Sequence, residues 1–520
     1  MPVIAATGDL PPFRPLADLL REHARARPDQ PALVQGAARL TWGELDVLMD
    51  RVAAALQRDG LQPGDSIVLA GAMTPTLAAL FLGALRAGVV VVPLATSVTP
   101  ETFASMCRDA AAQRLFVDAQ VAPLLVPDDA PACVALEAPA PGQPLAAWLA
   151  PAGSVPQPVV IGPDSPFNII YSSGTTGVPK GIVQPHGMRW GHVQRSARYG
   201  YGPQTVTLLS TPLYSNTTLV VFFPSLAFGG SVHLMPKFEA GAWLALAESE
   251  RVTHTMLVPV QYRRLLAHPD FDRHDLCAFV AKFCTSAPFD AALKADALRR
   301  WPGDLIEFYG MTEGGGTCIL EARAHPDKLH TVGRPAEGHD IRLIDEAGVE
   351  VAPGAAGEVV GCSGAMMTGY HGRPELTREA EWFSPEGHRF IRTGDVGRFD
   401  GDGFLSLIDR RKDMIISGGF NLYPSDLEAE LRRHPAVHDV AVVGVPSAQW
   451  GETPVAFVER RAGDATEAEA LRQWLNARVG KTQRLHALRF VDELPRNAIG
   501  KVLKRELRAG WAAQSDQGAN

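Results

Sequence analysis

YSSGTTGVPKG, residues 171–181, gathers two Ser, two Thr, three Gly and one Lys into eleven positions. It directly follows the short apolar run 167–170, which reads as a strand. Such a composition handles phosphate. Glycine lets the backbone turn tightly and approach a ligand closely, hydroxyls and bared backbone N–H groups donate to phosphate oxygens, and a lysine adds a mobile positive charge. Ser172, Ser173, Gly174, Thr175, Thr176, Gly177 and Lys180 are therefore candidate contacts to a nucleotide phosphate. A Walker loop is disfavoured. It needs four residues between its glycines and Ser or Thr directly after Lys, whereas Val178 and Pro179 separate Gly177 from Lys180 and Gly181 follows it.

Outward from this loop the chain alternates strand and helix signals. Upstream, residues 16–27 have helical periodicity, and Thr41 with Glu44 forms a capping box for a helix running to about 59. Residues 66–70 read as a strand, 76–87 as a helix and 89–93 as a strand, and a second such unit follows over 100–117. That order implies a parallel sheet with crossover helices. Residues 121–166, rich in Pro and Ala with little periodicity, read as a loosely ordered connection. Downstream, strands are expected at 205–211, 231–235, 252–258, 279–285 and 304–309.

From about residue 341 short alternating strands and Gly-containing turns replace this pattern and predict a small antiparallel β region. A boundary is expected at the charged run 409–413. It divides a body, 1–409, from a compact segment, 410–520, long enough for an independent α+β domain. The expected class is α/β: a large N-terminal body of parallel-rich sheets with crossover helices and a small β region, then a small mobile α+β C-terminal domain.

The chain has 520 residues, enough for two or more domains with a large core. With 46% hydrophobic and 20% charged residues it has the composition of a soluble globular protein. The net charge of -8 gives no reason to expect nucleic acid or an anionic membrane as partner. The six cysteines lack any CxxC pair, so neither a zinc site nor a disulfide framework is indicated. The N-terminus does not read as a signal peptide, and the longest apolar stretches are too short to span a bilayer, so a cytoplasmic location is expected.

Four further motifs carry chemistry. Tyr309-Gly310-Met311-Thr312-Glu313 lies just past an expected strand, where open α/β sheets place ligands, and its Thr and Glu suit a phosphate and Mg²⁺. Taken alone it could equally open a helix. The others are Arg392-Thr393-Gly394-Asp395, the run Asp409-Arg410-Arg411-Lys412-Asp413-Met414-Ile415-Ile416 with Gly418 and Gly419 after it, and Pro495-Arg496-Asn497-Ala498-Ile499-Gly500-Lys501. Individually these would be a plain turn, a solvated charge run and a tail lysine.

Together, and in this order, the motifs resemble those of the adenylate-forming superfamily, which contains acyl- and aryl-CoA synthetases, adenylation domains of peptide synthetases and firefly luciferase. The resemblance covers nearly the whole chain. It implies that residues 171–181 hold ATP phosphates, that Tyr309 stacks on adenine, that Thr312 contacts phosphate and that Glu313 binds magnesium. It implies further that Asp395 accepts from the ribose hydroxyls and that Arg410 reaches ribose or phosphate. Lys412 falls on the interdomain hinge, Gly418 and Gly419 let the pantetheine arm of CoA pass, and Lys501 drives adenylation. The segment 444–458 resembles the acyl-CoA synthetase branch, with Trp450 and Arg484 as candidate contacts to the CoA nucleotide.

The acid pocket departs from many relatives. Pro212-Leu213-Tyr214 is followed by Ser215-Asn216-Thr217-Thr218 where many have His, and Thr285, before Ser286, stands where many have Gly. Tyr214, Ser215, Asn216, Thr285, Ser286 and Gly310 are candidate pocket residues. The added hydroxyls and amide imply a small or medium acid, branched or hydroxylated, and Gly310 in place of a bulky Trp argues against a dedicated acetate enzyme. The expected activity is ATP-dependent ligation of a carboxylic acid to coenzyme A through an acyl-adenylate, by a monomer or a homodimer. A stand-alone adenylating enzyme using an aryl or fatty acid, one passing the acyl group to a carrier protein or amine, a luciferase-like oxygenase and a catalytically silent nucleotide-binding protein are the alternatives.

Overall fold

The computed structural model describes residues 12–125, 132–172, 179–410, 413–417, 420–447, 450–480, 483–497 and 500–517. Its backbone resolves into two compact units, Met1–Ile341 with Gly361–Ile391, and Arg342–Val360 with Arg392–Asn520.

The first unit carries two large sheets. One has eight strands in the order Gly369–Tyr370, Lys180–Pro185, Pro166–Ser172, Val90–Pro93, Ser66–Ala70, Arg114–Val117, Ala132–Ala135, Gln143–Pro144. Its central pairs are parallel, as the strand–helix–strand alternation requires. The other has nine strands and is parallel from Ser231–Leu234 through Val206–Leu209, His254–Leu257 and Ala281–Cys284 to Asp304–Tyr309. The buried strands Ser66–Ala70 and Val90–Pro93 read as nearly continuous apolar runs, as expected of sheets covered on both faces.

The expected capping box is present. Thr41 Oγ1 accepts from the Glu44 N–H and the Glu44 carboxylate accepts from the Thr41 N–H, which starts the helix Trp42–Arg58. That helix meets Pro75–Arg86 at Gly83, where an added Cβ would stand 2.6 Å from Val52. Only glycine allows so close a crossing. Phe81, Phe167 and Phe223 meet edge-on or tilted at 5.0–6.1 Å, tying one helix, the strand before the phosphate loop and the helix Asn216–Ala227 into one core.

Residues 121–166 differ from expectation. Two short strands, Ala132–Ala135 and Gln143–Pro144, extend the eight-stranded sheet, and the turn Leu145–Trp148 buries Trp148 against Phe116 at 4.8 Å. The indole N–H donates to Asp59 at 2.8 Å. Backbone pairing and one large aromatic side chain order a stretch whose periodicity is too short to read.

In the second unit Val437–Ser447 and Gly451–Arg460 form a long antiparallel pair, with Ala487–Val491 added in parallel. Helices Pro424–Arg432 and Ala468–Asn476 bury leucines on one face of this sheet, and the C-terminal helix Lys504–Gln517 places Leu507 in a second cluster. The strand Arg389–Phe399 pairs with Leu405–Arg410 over its second half.

Candidate functional site

The phosphate loop joins two antiparallel strands, Pro166–Ser172 and Lys180–Pro185, with Tyr171 opposite Gly181 and Ser172 opposite Lys180. Ser173, Gly174, Thr175, Thr176 and Gly177 lie outside the described residues. The two ends are held firmly. Tyr171 donates its hydroxyl to Asp109 at 2.7 Å, and a Cβ on Gly181 would meet Ile169 at 2.9 Å and the Tyr171 ring at 3.1 Å.

Strand Gly369–Tyr370 pairs with the strand that begins at Lys180, Tyr370 opposite Ile182. This brings the phosphate-loop lysine to the motif glutamate. Lys180 Nζ stands 5.1 Å from the centre of the Tyr370 ring, and the Tyr370 hydroxyl donates to Glu313 Oε1 at 2.9 Å. Burial, with Glu313 beside it, holds the phenol well above its ordinary range, so it stays a donor. The Met367 N–H donates to the Glu313 carbonyl at 2.8 Å. Gly314 makes this approach possible: its φ is +77°, and a Cβ there would stand 2.1 Å from the Ala365 carbonyl oxygen.

Thr312 is fixed from the other side. Gln184 Nε2 donates to its carbonyl at 2.6 Å, and the Gln184 side-chain oxygen accepts from Arg189. The buried Arg189 guanidinium also donates to Asn168 at 3.1 and 3.2 Å and to Asn216 at 2.8 Å, with no carboxylate paired to it among the described residues. Three amide oxygens solvate this charge in place of water. Asn216, a candidate for the acid pocket, is thereby committed through its oxygen to Arg189.

Ser215 caps the helix Asn216–Ala227, accepting from the Thr217 N–H at 3.3 Å. Ser286, at φ +83°, shares a short hydrogen bond with Thr217, so these two candidate segments do converge. The strain of a left-handed serine sits beside a candidate pocket. Thr285 is half-buried at the end of strand Ala281–Cys284. Tyr214 lines a small apolar pocket with Leu69, Met73, Leu77, Phe81 and Leu94. Gly310 is exposed, and the nearest atom to an added Cβ is Thr317 Oγ1 at 3.4 Å. Tyr309 closes the strand Asp304–Tyr309 and is buried.

A magnesium ion held together with nucleotide phosphates needs one or two carboxylate oxygens and keeps waters for the rest. Glu313 suits that demand: it is half-buried, and its Oε1 accepts from Tyr370. No group of three or more His, Cys, Asp or Glu gathers among the described residues, so they build no all-protein cage for a metal.

In the second unit, Asp395 lies on the strand Arg389–Phe399 opposite Arg410, 9% exposed, with its N–H donating to Thr393 Oγ1 at 3.0 Å. Thr393 in turn donates to the Val359 carbonyl at 2.8 Å. Lys501 ends a tight turn. Its N–H donates to Asn497 Oδ1 at 2.9 Å, the Asn497 N–H donates to its carbonyl at 3.0 Å, and Arg496 anchors the turn on Asp439 at 2.5 Å. Trp450 is 48% exposed and Arg484 is exposed. Lys412, Gly418 and Gly419 lie outside the described residues, as does the side chain of Arg410.

The profile of the AMP-binding enzymes matches residues 20–371, and that of the AMP-binding enzyme C-terminal domain matches 426–501. The chain belongs to the AMP-binding, adenylate-forming enzymes, in their acyl-CoA ligase branch. It is 34% identical over 491 residues to a feruloyl-CoA synthase of Amycolatopsis sp, spanning 93% of this chain and 96% of that one. It is 30% identical to the fatty acid–[acyl-carrier-protein] ligase ScoC of Streptomyces coeruleorubidus, over 98% and 99% of the two chains. Among solved structures, ATP-bound MatB from Rhodopseudomonas palustris superposes with a TM-score of 0.85 at 29% identity, over 95% of this chain and 99% of that one.

Reading the sequence of this AMP-binding enzyme misses Tyr370, Gln184 and Arg189. Tyr370 carries no motif that spacing could expose; only strand pairing brings it to Glu313. Arg189 did leave a signal, since an arginine three residues before His192 and six before Arg195 puts polar side chains along one face of a helix that folds into the core.

Proposed function

We propose that the protein is an ATP-dependent carboxylic acid–CoA ligase acting on a small or medium acid. The observation that carries this is the line Lys180–Tyr370–Glu313, which sets a cation and a carboxylate on either side of one buried phenol at the mouth of a phosphate loop. The acid's carboxylate oxygen attacks the α-phosphorus of ATP and pyrophosphate leaves. The thiol sulfur of CoA then bonds to the acyl carbon as AMP departs with the oxygen, and the thiol proton is lost to solvent.

Lys180 and the loop hydroxyls bind phosphate oxygens, Thr312 contacts the phosphate and Tyr309 packs against the base. Asp395 accepts from the ribose hydroxyls and Arg410 adds a further contact there. Glu313, together with the phosphates, would hold magnesium, which would supply neutralisation of the charge on the leaving pyrophosphate. Lys501 offsets the repulsion between two anions as they meet, an effect on the order of 10² to 10³ in rate for one well-placed group. In this reading 1–409 is the adenylating body and 410–520 the domain that brings Lys501 for the first step. Lys412 is its hinge, Gly418 and Gly419 the turn beside pantetheine, and Trp450 and Arg484 contacts to the CoA nucleotide. The likeness to ScoC supports a second reading, transfer of the acyl group to a carrier protein.

The test is AMP release with acetate, isobutyrate, 2-hydroxyisobutyrate, benzoate, 4-hydroxycinnamate, octanoate and palmitate, each with and without CoA. Release that depends on CoA for one group of acids supports the ligase. Equal release without CoA means that another acceptor takes the acyl group, and no release with any acid overturns the adenylating reading.

A further inference from the structure

Behind Gly310 lies a set of polar groups that the reading above leaves unused. Arg189, His192 and Arg195 share one face of the helix His186–Ser196, and Tyr199 follows in the next turn. The Nδ1 of His192, the Nε of Arg195 and the hydroxyl of Tyr199 are all buried with no hydrogen-bond partner among the described residues. His192 is 6% exposed and Tyr199 7%. Arg195 pairs with no carboxylate among the described residues; its guanidinium stands 5.2 Å from the centre of the Phe308 ring. Arg86, by contrast, reaches Asp46 at 2.5 Å and Asp50 at 2.9 Å, and Arg189 is surrounded by amide oxygens. Arg195 is half-buried, and its Nε, shut off from water with no partner among the described residues, is the costly part of that guanidinium.

Phe308 and Thr317 link these groups to Gly310. Phe308, under Arg195, is two residues before Gly310. The space a side chain at 310 would fill leads to Thr317, whose N–H donates to His339 Nδ1 at 3.0 Å. That bond leaves the proton of neutral His339 on Nε2, as a donor. Burial, with Arg195 nearby, pushes His339 down to about 4, so it is neutral at ordinary pH. His192 lies within electrostatic reach of Arg195, Arg189 and His339.

We infer that the acid carries a second carboxylate at its far end, received by Arg195, with His339, His192 and Tyr199 as hydrogen-bonding neighbours. The inference rests on the ligase reading and names its substrate class: a dicarboxylic acid, activated at one end and recognised at the other. A planar guanidinium with no counter-ion suits a carboxylate better than a lone hydroxyl. Two residues of strand span about 7 Å, which selects diacids of medium length as probes.

The experiment compares kcat/KM for AMP release in the presence of CoA between matched pairs: glutarate and pentanoate, adipate and hexanoate, pimelate and heptanoate. The wild type is expected to favour the diacid of at least one pair by tenfold or more. Arg195→Met should bring that ratio to one or below. His339→Asn, an independent change on the opposite wall, should lower it several-fold, and ATP binding to each variant reports its folding. A wild type that favours every monoacid, or a ratio that survives in both variants, overturns the inference while leaving the ligase reading intact. If ATP binds but neither series yields AMP, the ligase reading falls and the inference falls with it.

Discussion

Tyr370 donates its hydroxyl to Glu313 Oε1 at 2.9 Å while its ring lies 5.1 Å from Lys180 Nζ. A single phenol thus sets the spacing between the cation of the phosphate loop and the carboxylate of the Tyr309–Glu313 motif. Lys180 opens its strand and Glu313 lies past the end of Asp304–Tyr309, so the phenol between them ties a strand end to a turn.

Tyr370→Phe keeps the ring under Lys180 and removes the bond to Glu313. A hydrogen bond to a charged group contributes about 1.5 kcal/mol or more, so kcat/KM for ATP in acid-dependent pyrophosphate exchange should fall roughly tenfold, with a higher magnesium requirement. An unchanged magnesium dependence would show that Glu313 is oriented by something else.

Gln184→Leu removes the donor to the Thr312 carbonyl and strands one face of Arg189. Leaving buried polar groups unpaired costs about 1–3 kcal/mol. Thermal unfolding should shift down accordingly, and adenylation should weaken beyond that loss because the Thr312 segment is released. Gln184→Glu should restore the unfolding temperature, since it offers Arg189 a carboxylate, but not the bond to Thr312. Adenylation at the wild-type level in Gln184→Glu would contradict the positioning role.

Lys501→Ala is expected to lower acyl-adenylate formation by roughly 10² to 10³ and to spare thiolysis of a supplied acyl-adenylate. Its turn is held by backbone contacts to Asn497 and by the Arg496–Asp439 pair, so the substitution should leave the fold alone. Rapid-quench measurement of each half-reaction separates them, and equal loss in both would contradict a role confined to the first.

Stability should fall on the acid side. Burial pushes His186, His254 and His339 down to about 4, His254 despite donating from Nε2 to the Tyr199 carbonyl at 2.8 Å. An unfolded histidine titrates near 6.5. Between these values the unfolded chain takes up protons that the folded chain refuses, so stability is full above about pH 6.5 and is lost as pH falls toward 4. The loss is at most about 3 kcal/mol per group. Unfolding temperatures from pH 7.5 to 5 should decline, and less steeply in His254→Gln. A slope unchanged by that substitution would mean His254 does not titrate in this window.

The periodic elements and the order of motifs were legible because each is local. Short apolar runs indicate strands at 66–70, 205–211 and 304–309, which the structure forms as 66–70, 206–209 and 304–309, the Thr41–Glu44 box starts its helix, and a contiguous motif such as residues 309–313 needs no partner to be seen. What escaped depends on partners distant in the chain. Residues 132–144 became strands because the edge at Arg114–Val117 was there to pair with, and Trp148 was ordered by Asp59 and Phe116.

The same holds in the site. Sequence sufficed for the chemical inventory, a phosphate loop, a carboxylate and a lysine, since residue type and spacing carry chemistry. Only the folded chain could bring Tyr370 across 57 residues to Glu313, make Gln184 reach Thr312, or bury the Nε of Arg195 with no partner among the described residues. Those relations come from strand pairing and desolvation, which act between segments that no local pattern links.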